Sequence, residues 1–187
     1  MKRSIGAAVV VACLAGAAQA AEVGGVRLDD GASVGGQALV LNGAGVRTRA
    51  LFFNAYVASL YLPAKARSLP AVLARGPRRI QLNLLRSLSA DDLVDVLVAG
   101  LKDNASAEEL ASMKPQTDQL VVIVRSLGAA KEGDVVTFDF HGGATRIAHN
   151  GEPKGAIAGD SFNHALTRIW IGERPAQGDL RKAMLGG

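Results

Sequence analysis

The chain has 187 residues, with 21 Lys and Arg against 17 Asp and Glu, three His and a single Cys. If the first 20 residues are cleaved, Cys13, Lys2 and Arg3 go with them, so no disulfide is available and the charge falls to 19 basic against 17 acidic, about +2. That excludes a disulfide scaffold and gives no push toward nucleic acid, and the scarcity of thiol, imidazole and clustered acid favours a binding pocket over nucleophilic or metal chemistry.

Residues Met1 to Ala20 read as a secretory signal. Lys2 and Arg3 form the positive start, Ala7 to Ala15 the apolar middle, and Ala18-Gln19-Ala20 a small-x-small cleavage site. This predicts a periplasmic protein with no stable membrane insertion after cleavage, because the apolar run is too short to span a bilayer. Val10-Val11-Ala12-Cys13 loosely resembles a lipobox, but apolar residues follow Cys13 where a polar tether belongs. The remaining chain, 21–187, is one domain of roughly 165 residues, enough for a single core.

Three glycine-punctuated segments come first: Gly25 to Leu28, Gln37 to Leu41, and Arg47 to Leu62. Asn42-Gly43 and Gly45 are read as turn formers between strands. The run Phe52 to Leu62 is almost wholly apolar, as in a strand covered on both faces, and Pro63 ends it. A short helical turn is expected at Ser68 to Ala74. Arg79 to Arg86 alternates Ile80, Leu82 and Leu84 against Arg79, Gln81 and Asn83, a strand with one buried face, and Arg78-Arg79 reads as its solvated start.

Ser89 caps a helix with Asp91 and Asp92 in its first turn. Ser106 opens a second through a capping box with Glu109. Pro115 should interrupt that helix, and Leu120 to Leu127 reads as either helix or strand. Asp134 to Phe140 and Thr145 to His149 form a hairpin across Gly142-Gly143, and Asn150-Gly151 turns the chain again. The last long helix is capped by Asp160 or Ser161, carries Phe162, Ala165, Leu166, Ile169 and Trp170 on one face, and stops at Gly172. Gln177 to Leu185 closes the chain as a short helix. Strands, then helices, then strands and a helix make an α+β pattern.

The Gly43-Ala44-Gly45-Val46-Arg47 segment, the Tyr56-Val57-Ala58-Ser59-Leu60-Tyr61-Leu62 strand, the Phe162 to Gly172 helix and the Met184-Leu185-Gly186 end together resemble the chalcone isomerase-like family, in particular its secreted bacterial branch. The resemblance covers nearly all of the chain after residue 20. It implies an open-faced β-sandwich, a large antiparallel sheet packed by a layer of helices, with a ligand cleft between the two.

The resemblance also implies site residues. Arg47 matches the arginine that in the plant enzymes stabilises a phenoxide, and Tyr56 falls where those enzymes carry Thr and the related fatty-acid-binding members carry Tyr. The Arg47–Tyr56 pair resembles the acid-binding branch. No tyrosine follows Tyr61, so the helical tyrosine of the isomerases has no counterpart, and Asn104 and Asn163 are both candidates for their asparagine.

The expected function is non-enzymatic binding of a small amphipathic acid, such as a fatty acid, with Arg47 as ionic anchor and Tyr56 as hydroxyl donor. The alternatives are an isomerase or lyase that uses Arg47 to stabilise an oxyanion, and a regulatory subunit whose cleft takes a partner's peptide. For Arg47 the competing reading is an internal pair with Asp or Glu, or exposure beside Arg49; for Tyr56 it is a core tyrosine bonded to backbone. On one regular strand, residues nine apart face opposite ways, so a bend, bulge or turn near Thr48 to Leu51 is required. Phe52, Phe53 and Trp170 are core candidates. His141, His149 and His164 lack metal-ligand spacing, and no cofactor motif occurs.

Overall fold

A computed structural model describes residues 21–49 and 53–187. The segment expected to be a signal, with Cys13 in it, and Phe52 lie outside the described residues.

A short hairpin of β1 (Ala21–Val23) and β2 (Val26–Leu28) precedes a seven-stranded antiparallel sheet. The sheet runs in simple chain order: β3 (Gly31–Val34), β4 (Gln37–Arg49), β5 (Phe53–Leu62), β6 (Arg78–Leu84), β7 (Val135–His141), β8 (Ala144–His149) and β9 (Glu152–Ala158). It is curled into a half-barrel, so that β3 reaches across to β6 and β7. The helices are α1 (Leu69–Leu73), α2 (Ala90–Asn104), α3 (Ala107–Ser112), α4 (Lys114–Ser126), α5 (Asp160–Ile171) and α6 (Gly178–Met184). Among the described residues no helix is long and apolar enough to cross a membrane.

Period-two alternation decides which side chains meet the helices. On β6, Arg78, Ile80, Leu82 and Leu84 are buried and the residues between them only partly so. Across the register, Ala58 stands opposite Leu82, Leu60 opposite Ile80, and Ile80 opposite Phe138. This face, with α2, α4, α5 and α6 on it, is the main core. The other face closes on a small cluster of Val34, Leu39 and Tyr61. Residues buried on both sides explain why β5 reads as a continuous apolar run.

Helix α5 is the centre of the layer. Besides the predicted apolar stripe, it buries Asn163 and Thr167, and Trp170 is wholly enclosed. Each large apolar side chain so buried contributes about 1.5–3 kcal/mol.

Several expectations are corrected. Asn42, Gly43 and Gly45 do not form a turn but lie within the continuous strand β4, with a register shift between Leu41 and Gly43. The glycines serve close packing: a methyl at Gly43 would collide with the Ala183 carbonyl, and one at Gly45 would come 2.9 Å from the Ala183 Cβ. Arg47 and Leu62 therefore belong to two strands.

The interruption expected at Pro115 does occur: α3 ends at Ser112, and Pro115 stands in the first turn of the next helix, α4, where its missing N–H costs nothing; of the two readings left open for Leu120 to Leu127, helix is the one found. The cap position of α5 is Gly159 at φ 125° rather than Asp160 or Ser161, because the chain turns directly from β9 into the helix. Phe53 is 55% exposed, with the Arg86 guanidinium 5.1 Å over its ring, and is not core.

Arg78-Arg79 is not a solvated strand start. Arg79 makes a two-pronged bridge to Asp139, both bonds 2.6 Å, and Arg78 is 3% exposed.

Candidate functional site

Strand β4 brings Gly43, Gly45 and Arg47 to the helix-facing side, opposite Leu60, Ala58 and Tyr56 of β5 in turn. Directly opposed residues of an antiparallel pair project to the same face, so Arg47 and Tyr56 sit side by side under the helical layer. Of the bend, bulge or turn expected near Thr48 to Leu51, it is the chain reversal between β4 and β5 that resolves the parity conflict. The register also shifts between Arg47 and Thr48, where Ala55 of β5 has no partner on β4.

Tyr56 is buried at 3% exposure, and its hydroxyl accepts a hydrogen bond of 3.2 Å from Trp170 Nε1. The Trp170 ring in turn leans on Phe138, with centroids 5.6 Å apart. The other tyrosine, Tyr61, lies on the opposite face of the sheet, where burial raises its pKa, and is no candidate partner for Arg47.

Arg47 is half-buried. Its Nη1 donates to the Thr48 carbonyl at 2.9 Å and to Gln177 Oε1 at 3.2 Å. Its Nε is sealed from water and makes no hydrogen bond. Among the described residues no carboxylate pairs with this guanidinium. A cation held only by neutral oxygens, with one donor unused, retains capacity for an anionic acceptor.

Gln177 is a residue that sequence reasoning missed. It ends the connection into α6, and the packing of α6 on Gly43 and Gly45 sets its amide oxygen between the Arg47 Nη1 and the Thr48 N–H, the latter at 3.0 Å. No short-range pattern announces a contact across 130 residues.

The two asparagines offered for the helical layer do other work. Asn104 ties the end of α2 to the backbone of Arg174, and Asn163 binds Arg78. His149 bonds Asp134 at 2.9 Å, and among the described residues no three His, Cys, Asp or Glu side chains group as a metal site. A polar cleft of about 490 Å³ opens where α2 meets α3, between Asn104, Ser106, Arg168 and Arg174, and neither Arg47 nor Tyr56 lines it.

A curled seven-stranded sheet, a helical layer on one face, and an arginine and tyrosine opposed beneath that layer define an α+β class with its candidate ligand site at the sheet–helix boundary. The sequence profile of the family described as chalcone isomerase-like matches residues 20–186, and the chain belongs to that family. The fold is similar to the crystal structure of an Arabidopsis thaliana fatty-acid binding protein, with a TM-score of 0.64 and 13% identity, covering 79% of this chain and 86% of that one. At that identity the likeness carries the fold alone. No curated protein matches the sequence.

Proposed function

We propose that this protein is a non-enzymatic binder of a small amphipathic acid of the fatty-acid type, acting in the periplasm as a secreted bacterial member of its family. The observation that carries the reading is the Arg47–Tyr56 pair, on one sheet face, with the guanidinium held by neutral oxygens and its Nε unused. The family and the named ligand class of the similar plant structure support it.

The ligand carboxylate takes the guanidinium as a charge-assisted partner, a contact of about 1.5–3 kcal/mol. The space around Tyr56 is filled by Trp170 and neighbouring side chains, so the acyl chain enters by parting the short helix α6 from β4. Trp170 is the sole tryptophan, and its indole bonds Tyr56, so its fluorescence reports occupancy.

The test is a titration of the purified protein with a long-chain fatty acid and with its methyl ester, read by Trp170 emission and by native mass spectrometry. Saturable binding of the acid, absent for the ester and for Arg47→Ala and weakened for Arg47→Lys, is the expected result. No saturable binding of the acid, or equal binding of acid and ester, ends the proposal.

A further inference from the structure

Arg78 lies on the same sheet face as Tyr56 but at the other end. Tyr56 pairs with Leu84, and Arg78 is six residues further along β6, roughly 20 Å away at the rise of a strand. Its guanidinium is buried against Phe140, 4.5 Å from the ring centroid. Nε donates to Thr167 Oγ1 at 3.0 Å, and Nη2 donates to the Asn163 carbonyl at 3.2 Å and to Asn163 Oδ1 at 3.0 Å.

All these acceptors are neutral. No described residue forms a salt bridge to Arg78, and none accepts a hydrogen bond from its Nη1 or from Asn163 Nδ2. Neither atom is sealed by its surroundings, so both keep accessible surface on open space. That space is a cavity of about 210 Å³ beneath the β7–β8 hairpin, walled by Arg78, Asn163, Phe140, Leu73 and Pro77, with His164 and Asp160 also lining it. The volume exceeds that of several waters at about 30 Å³ each.

Burial lowers the Arg78 pKa to about 10, with Asp160 opposing the shift, so the side chain stays cationic at neutral pH. A buried cation that no carboxylate bonds directly is costly, since Asp160 lines the cavity but forms no ion pair with Arg78, and an oxyanion bonded to the guanidinium lowers that cost.

We infer that this cavity is a second ligand site, separate from Arg47, that takes the carboxylate of a short organic acid on Arg78 Nη1 and Asn163 Nδ2. The apolar walls Leu73, Pro77 and Phe140 suit a short hydrocarbon tail. The Asp160 carboxylate disfavours a doubly charged anion, which selects a monocarboxylate over phosphate.

The experiment is a ¹H–¹⁵N NMR titration of the purified protein with propionate or inorganic phosphate, following the Arg78 Nε–H and the Asn163 side-chain amide, with chloride holding ionic strength constant. Propionate should give a saturable shift with a dissociation constant of roughly 1–10 mM, the range that a pair of charge-assisted bonds supports. Phosphate should bind at least about tenfold more weakly, and Asp160→Asn should tighten propionate about fivefold by removing the like charge.

His164→Glu, at an exposed position, should abolish the shift while the rest of the spectrum stays folded. These two variants leave the buried arginine in place, so a failure of Arg78→Met to fold does not decide the matter. A propionate response no larger than that to chloride, an unchanged response in His164→Glu, or tighter binding of phosphate than of propionate overturns the inference.

Discussion

Gln177 Oε1 accepts hydrogen bonds from Arg47 Nη1 at 3.2 Å and from the Thr48 backbone N–H at 3.0 Å. A single neutral oxygen thus sits between a guanidinium and an amide, where one oxygen of a bound carboxylate would be held most strongly. On the binding role proposed for Arg47, Gln177 competes with the ligand for these donors. Gln177→Ala should tighten fatty-acid binding severalfold, because a hydrogen bond to a charged group worth about 1.5–3 kcal/mol no longer has to be exchanged. Gln177→Glu should place a resident carboxylate on Arg47 and weaken binding at least about tenfold while raising the melting temperature. Titration of both variants by Trp170 emission checks this, and equal affinities for Ala, Gln and Glu at position 177 would remove Gln177 from the site.

Gly43 and Gly45 face α6, and the clearance is tighter at Gly43, where an added Cβ meets the backbone of Ala183 and Met184. At Gly45 the obstacles are the Ala183 Cβ at 2.9 Å and the Leu180 Cδ1 at 3.1 Å, side-chain atoms that can yield. Gly43→Ala should cost about 2–3 kcal/mol and Gly45→Ala about 1 kcal/mol, in the range of overpacked contacts. Chemical denaturation should rank them in that order.

The strands and helices with strong alternation or caps are legible in the sequence, since β6, the β7–β8 hairpin, α2 and α5 each carry one apolar face set by local spacing. Strand β9 is not, because only Ile157 of its seven residues is buried and no alternation results. The turn expected at Gly43 and Gly45 fails because a glycine needed for close approach of a helix looks, in sequence, like one needed for a turn. Arg78 was within reach. Its even-numbered register with Ile80, Leu82 and Leu84 already directs it inward, and Asn163 and Thr167, four apart on α5, are the polar residues that meet it. The pairing of Arg47 with Tyr56 follows from family resemblance, but its physical basis, a cross-strand neighbour relation, needs the position of the hairpin.

Tyr56 links the sheet to α5 through the Trp170 indole N–H. Tyr56→Phe keeps the ring but removes that acceptor from a donor buried with no exposure, which should destabilise the fold by about 1–3 kcal/mol. The same change should shift Trp170 emission in the ligand-free protein. A melting temperature and spectrum equal to those of the parent would show that the indole finds another acceptor at no cost.

Asp134 joins the loop before β7 to the turn after β8. Its carboxylate accepts from Asn150 Nδ2, from the Lys131 N–H and from His149 Nε2, and these bonds, that to Asn150 first, hold its pKa down at about 2. The unfolded chain has the ordinary value near 3.9, so the folded state favours the ionised form. The resulting stabilisation is fully present above about pH 4 and is lost as the pH falls through about 2, once both states are protonated. Asp134→Asn should therefore be less stable than the parent at pH 7, by about 1.5 kcal/mol for the charge-assisted bonds removed. The gap should narrow as denaturation is measured from pH 5 down to pH 2, and a gap that stayed constant across that range would show that the carboxylate charge is not what ties the hairpin to its flanking loop.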